Sequence, residues 1–145
     1  VSRAARWEHF PHGADIGVRG IGPTRDTAFE QAALALTAVV SDPASVRAST
    51  ATRLRCDAPD LALLFVDWLN ALVYEMATAR CLFGRFDVTI RDEPAGFALD
   101  AVAHGEPLNR ARHEPAVEVK GATHTELRVA QLADRHWVAQ CVVDV

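Results

Sequence analysis

Phe86-Asp87-Val88-Thr89-Ile90-Arg91-Asp92-Glu93-Pro94-Ala95-Gly96-Phe97-Ala98-Leu99-Asp100-Ala101-Val102 is the stretch that decides the fold class. Phe86, Val88 and Ile90 alternate with Asp87, Thr89 and Arg91, the period of a strand with one buried face. Glu93 to Gly96 carries the residues of a turn, and Phe97 to Val102 returns as the second arm of a hairpin. A hairpin makes antiparallel neighbours, whereas parallel strands need a long crossover. The strands here are therefore not repeated strand–helix–strand units.

Upstream, Pro59 and Asp60 open a helix at positions where proline and acid are well tolerated. Leu61, Leu64, Phe65, Trp68, Leu69, Leu72, Val73 and Met76 give it a wide apolar stripe, so it is expected to be the most buried helix. Asp67 and Asn70 lie on its narrow polar face and read as solvated. Val46 to Cys56 alternates as a strand with one wet side. A further helix spans Thr24 to Val40, with Thr24 as N-cap and Asp26 in the first turn. Short strands are expected at Trp7 to Phe10 and Asp15 to Ile21.

Downstream, Gly105 to Pro115 reads as a loop containing Glu106, Arg112 and His113. Val117 to Thr125 and Leu127 to Leu132 are strand-like, with an interruption near Glu126. Trp137 to Val145 forms the final strand. Two helices and about seven strands imply an α+β domain over residues 1–145. Both helices are expected on one face of a mixed, mostly antiparallel sheet.

The chain has 145 residues, 50% of them hydrophobic and 23% charged. A domain of that size buries roughly 70% of its unfolded surface, so neither metal nor disulfide is needed to hold it together. No apolar run approaches the roughly 20 residues of a membrane span, and no secretory signal opens the chain; because it starts at Val1, an initiator methionine or a longer N-terminus is expected before it. The net charge of −4 argues against binding RNA by neutralising phosphates and favours any link to nucleic acid through a protein partner. Cys56, Cys81 and Cys141 are widely spaced and form no Cys-x-x-Cys, which suits reduced core residues of a cytoplasmic protein.

The densest run of special residues is Glu8-His9-Phe10-Pro11-His12-Gly13-Ala14-Asp15-Ile16-Gly17. Asp15 stands where the chain leaves a turn and enters a strand. In the last strand Trp137, Ala139, Cys141, Val143 and Val145 share one face, while Val138, Gln140, Val142 and Asp144 share the other. If Val145 ends the chain, its carboxylate lies one residue from Asp144, and such close charges repel. Either both are solvated, or a hard cation such as calcium or magnesium relieves the repulsion. Zinc through His9-x-x-His12 is disfavoured because no cysteine completes a tetrahedral site. No Ser-His-Asp order, phosphate loop or dinucleotide fingerprint is present. Gly17, Gly20 and Gly22 fit a bent strand better than a phosphate cradle.

Taken in order, these pieces resemble the archease family. The stretches that carry the resemblance are Trp7 to Phe10, His12 to Gly17, Ala28 to Ala33, Leu63 to Asn70, Gly105-Glu106, Arg112-His113, Glu118 to Lys120 and Val143 to Val145. Each is short, but their ordered combination is specific and spans the chain. The resemblance implies a cytoplasmic, chaperone-like activator of an RtcB-type RNA-splicing ligase. It would promote guanylylation and turnover of that ligase in joining tRNA exon halves, meeting RNA only through the ligase and needing no membrane. It further implies a divalent cation, calcium being the form seen and magnesium or manganese alternatives, held by Asp15, Asp144 and Val145. By the same implication Glu106, His113 and Lys120 are candidates for the surface that works on the ligase, and no catalytic residue is assigned. The family usually has threonine at Gly13, and its Thr-Tyr-His after Lys120 is absent here, so no role passes to His124 or Thr125. Competing expectations are a small metal-dependent hydrolase using Asp15 and Asp144, and a generic chaperone-like binding module.

Overall fold

A computed structural model describes residues 5–145. The hairpin that decides the fold class is present and longer than expected, with β4 (Cys81–Glu93) paired antiparallel to β5 (Gly96–Pro107). Gly96 adopts a φ of +149°, and a Cβ there would lie 2.3 Å from the carbonyl oxygen of Ala58, so the turn requires glycine. On the other side of β5 lies β3 (Thr50–Ala58), giving a three-stranded sheet in the order β3-β5-β4. The strand β3 starts four residues later than its alternation suggests. Pro43 to Ser45 forms a 3-10 turn, and the Arg47 N–H is taken by the Glu106 carboxylate instead of a ladder partner.

A second sheet gathers the two ends of the chain. β1 (Arg6–His12) pairs with β2 (Asp15–Gly22), β2 with β8 (Trp137–Asp144), and β8 in turn with β6 (Gly121–Ala122) and β7 (Arg128–Gln131). Every pairing in both sheets is antiparallel. The fold is therefore α+β, with its strands divided between two sheets.

Helix α1 (Arg25–Val40) explains the division. It runs antiparallel along the outer edge of β4 and satisfies that edge with its own side chains. Asp26 accepts from the Ile90 N–H at 3.0 Å, Glu30 accepts from the Val88 N–H at 2.8 Å, and the Thr37 hydroxyl donates to the Phe83 carbonyl at 2.7 Å. An edge occupied in this way cannot recruit a strand from the other sheet. Burial raises the Glu30 carboxyl above its usual range against the opposing Val88 N–H, and the nearby Asp87 and Asp26 charges add to the rise. The opposite side of α1 sits on β2, where a Cβ on Gly20 would come within 2.0 Å of the Ala28 carbonyl. Gly17 and Gly22 likewise lie flat under Phe10 and against Thr27, so the three glycines are packing positions. Thr24 caps α1 through a reciprocal exchange with Thr27.

Helix α2 (Leu61–Ala79) is capped by Asp60, whose carboxylate accepts from the Leu63 N–H at 2.8 Å. By length and composition it could cross a membrane, yet Leu64, Phe65, Trp68, Leu69 and Leu72 are fully buried against the two sheets and α1. The Trp68 indole N–H donates to the Phe29 carbonyl at 3.1 Å, and its ring meets Phe86 edge to face. One core runs through both helices and both sheets.

The expected loop after β5 contains a single helical turn, α3 (Arg110–His113). The expected strand at Val117 to Thr125 shrinks to β6. Residues 114–120 are irregular, and Glu126, at a φ of +54°, breaks the chain before β7. Cys56, Cys81 and Cys141 are all free thiols.

Candidate metal centre

Two adjacent antiparallel strands bring Asp15 and the end of the chain together. β2 begins at Asp15, and β8 ends at Asp144. Their register pairs Ile16 with Val143, so one step further Asp15 stands opposite Asp144. Cross-strand partners share a face, which places both carboxylates on the side of the sheet away from α1. The separation in sequence is bridged by the most central strand of the sheet.

The local supports are specific. Asp15 Oδ1 accepts from the Val145 N–H at 3.3 Å, closing the link between the start of β2 and the chain end. The Val145 side chain packs against the core, as strand parity requires for the face of Val143 and Cys141. The Asp144 carbonyl accepts from the Lys120 N–H at 2.8 Å, and Asp144 pairs with Gly121. Asp15 is half-buried and Asp144 exposed, and neither forms an ion pair with any described cation.

On the far side of Asp15 the hairpin turn is Gly13-Ala14, with Gly13 at a φ of +58° and open space where a Cβ would stand. A two-residue hairpin with glycine first is a favoured connection, and it sets His12 opposite Asp15. Gly13 takes this positive φ without the strain a side chain would bring there. His9 and His12 fall on opposite faces of β1, and the His9 Nε2 lies 2.7 Å from the Ala35 carbonyl.

The donor set suits a hard cation. Carboxylate oxygens of Asp15 and Asp144 and a main-chain oxygen of Val145 are all oxygen ligands, which calcium takes in sets of six to eight, about 2.3–2.6 Å away. Among the described residues no three His, Cys, Asp or Glu side chains converge to hold a metal between themselves.

Asn70 contributes where its reading as part of a solvated face did not anticipate it. Its Oδ1 accepts from the Ala122 N–H at 2.8 Å, and its amide lies 3.5 Å from the Ala122 carbonyl. That closes the edge of β6 beside Asp144 and ties it to α2. An uncharged amide amid an otherwise charged polar face was the one available hint.

The three residues expected at the partner-facing surface divide. Lys120 is exposed, whereas Glu106 and His113 are buried with only 6% and 4% of their surface exposed. Glu106 Oε2 accepts from the Arg47 N–H at 2.7 Å and lies 3.0 Å from His113 Nε2, while Oε1 takes the Arg112 guanidinium. The Asn109 N–H donates to His113 Nδ1 at 2.8 Å, so Nδ1 is unprotonated and Nε2 carries the proton donated to Glu106. The Arg112 bond, then the Arg47 N–H and His113, hold the Glu106 carboxyl down at about 2. This burial places the Glu106 and His113 side chains inside the domain, with Lys120 alone of the three exposed. They fasten the 3-10 turn and α3 to the end of β5, with Arg112 also donating to Ser45 and the Ser41 hydroxyl to the His113 carbonyl.

Comparison with known proteins identifies the family over nearly the whole chain. The profile of the Archease protein family (MTH1598/TM1083) matches residues 7–145. Protein archease from Thermococcus gammatolerans is 39% identical over 140 residues, covering 97% of this chain and 99% of the relative. Protein archease from Methanosarcina acetivorans is 37% identical over 145 residues, covering 99% of each. The solution structure of Methanobacterium thermoautotrophicum protein 1598 superposes with a TM-score of 0.84 at 28% identity, over 99% of this chain and 100% of that one.

Proposed function

The chain belongs to the archease family, and on that premise we propose that it is a non-enzymatic, cytoplasmic activator of an RtcB-type RNA ligase. It promotes guanylylation and turnover of the ligase in tRNA splicing, and meets RNA through the ligase. Asp15, Asp144 and Val145 hold a divalent cation, with calcium, magnesium and manganese all compatible with oxygen donors.

The observation that carries this reading is the meeting of Asp15 with Val145 at the end of the β2–β8 ladder, with Asp144 one step beyond the Ile16–Val143 pair and neither carboxylate ion-paired to a described cation. A bound divalent ion supplies concentrated positive charge for phosphate oxygens. The protein's own contribution is to preorganise its ligands. The β2–β8 ladder fixes the spacing of the carboxylates, the core-packed Val145 side chain anchors the chain end, and Asn70 with the Lys120 N–H immobilises the neighbouring edge. Asp15, Asp144 and Val145 would hold the ion, and with Asp144 exposed it would be accessible to oxygens of the ligase or its nucleotide.

Single-turnover guanylylation of the ligase from the same organism, with and without this protein, tests the proposal. The expected result is stimulation by the parent and loss of stimulation in Asp144→Ala. Stimulation by Asp144→Ala equal to the parent's removes the cation site from the function.

A further inference from the structure

A groove of about 620 Å³ lies between the second half of α2 and the segment that follows β5. Its helical wall is Val73, Met76 and Ala77, its floor includes Val40 and Leu82, and Val117 stands on the opposite lip. Val117 is 40% exposed, one of three large hydrophobics exposed among the described residues. Apolar surface left open in a concave site is the signature of a binding groove.

The rim specifies the charge of the occupant. Arg80 and Arg110 line the groove, both exposed, and neither guanidinium has a carboxylate partner among the described residues. Two unpaired cations against the single lining carboxylate of Glu118 leave the groove net positive in a chain of net charge −4, which complements an apolar segment bearing carboxylates.

The wall is also held in place. The Leu108 N–H donates to the Arg80 carbonyl at 2.9 Å, and the Ala116 N–H to the Val40 carbonyl at 2.8 Å. The buried Glu106–Arg112–His113 cluster fastens α3, which sits between these two points. A fixed wall lowers the ordering cost of binding.

We propose that this groove docks an apolar, carboxylate-flanked segment of the partner protein, the carboxylates meeting Arg80 and Arg110. Glu106 and His113 then serve as positioning residues for the groove wall. The inference rests on the activator reading for the partner's identity, but its site is separate from the Asp15 and Asp144 carboxylates.

Isothermal titration of the ligase from the same organism against four proteins tests it: the parent, Arg80→Glu/Arg110→Glu, Ala77→Glu, and Asp15→Asn/Asp144→Asn. Binding at least about tenfold weaker in both groove variants, with folding verified by circular dichroism, is expected. Loss of the parent's affinity with added salt is expected to be steeper than that of the double-arginine variant. Groove variants that bind within twofold of the parent overturn the inference and leave the activator reading intact. A parent that does not bind the ligase at all overturns both. Sedimentation run in parallel provides a further contradiction: a concentration-dependent dimer abolished by Ala77→Glu assigns the groove to a second copy of this chain.

Discussion

Replacing Asp144 with asparagine should have opposite effects on stability without and with calcium. Directly opposed residues of neighbouring strands have Cβ atoms about 4.5–5.5 Å apart. Two full negative charges about 5 Å apart at an effective dielectric of about 40–80 repel by about 1–1.5 kcal/mol. Asp144 is exposed, and salt screening reduces this to about 0.5–1 kcal/mol. In chelator, Asp144→Asn is therefore expected to melt about 2–3 °C higher than the parent. In calcium the order reverses. An ion at about 100 times its dissociation constant stabilises the folded state by about 2.7 kcal/mol, or about 8–10 °C for a domain of this size. The variant keeps one carboxylate and gains only a small part of that. Paired thermal melts followed by circular dichroism, in EDTA and in calcium chloride, measure both halves. An equal calcium shift in parent and variant, or destabilisation by Asp144→Asn in EDTA, refutes the reasoning.

Two further outcomes test the scaffold around the site. Gly20→Ala forces a methyl into the backbone of α1 and should destabilise by about 1–3 kcal/mol or more, read from urea unfolding; a loss below about 0.5 kcal/mol would mean α1 does not rest on β2 as described. The Glu106 carboxyl is held down at about 2, so its contribution to stability is complete above the unfolded carboxylate range near 4.5 and disappears as pH falls towards 2. Glu106→Gln should accordingly flatten the stability profile between those limits, and an unchanged acid limb would contradict the burial of its ion pair.

Much of this fold is legible in local pattern. The hairpin after Cys81, the caps at Thr24 and Asp60, and the parity of β8 follow from periodicity and from side chains acting on their own neighbourhood. What pattern does not reveal is which long-range partner satisfies a polar group. Asp26 in a first helical turn looks like a dipole effect, and only the packed structure shows it bonding the edge of β4, with Glu30 one turn later. That edge is what separates the two sheets. Burial of the Glu106–His113 pair is hidden for the same reason, because a Pro-rich, charged stretch reads as loop until Arg112 and the Arg47 N–H are seen to close around it. Asp15 and Asp144 stood out as chemically odd positions, but their meeting depends on β2 and β8 being neighbours, a fact of topology.

Titration with manganese, watched by broadening of backbone amide signals, tests the cation site most directly. The account predicts that Ile16, Lys120, Gly121 and Val145 broaden first, and that Asp15→Asn/Asp144→Asn abolishes the effect. Broadening centred elsewhere, or undiminished in the double variant, contradicts it.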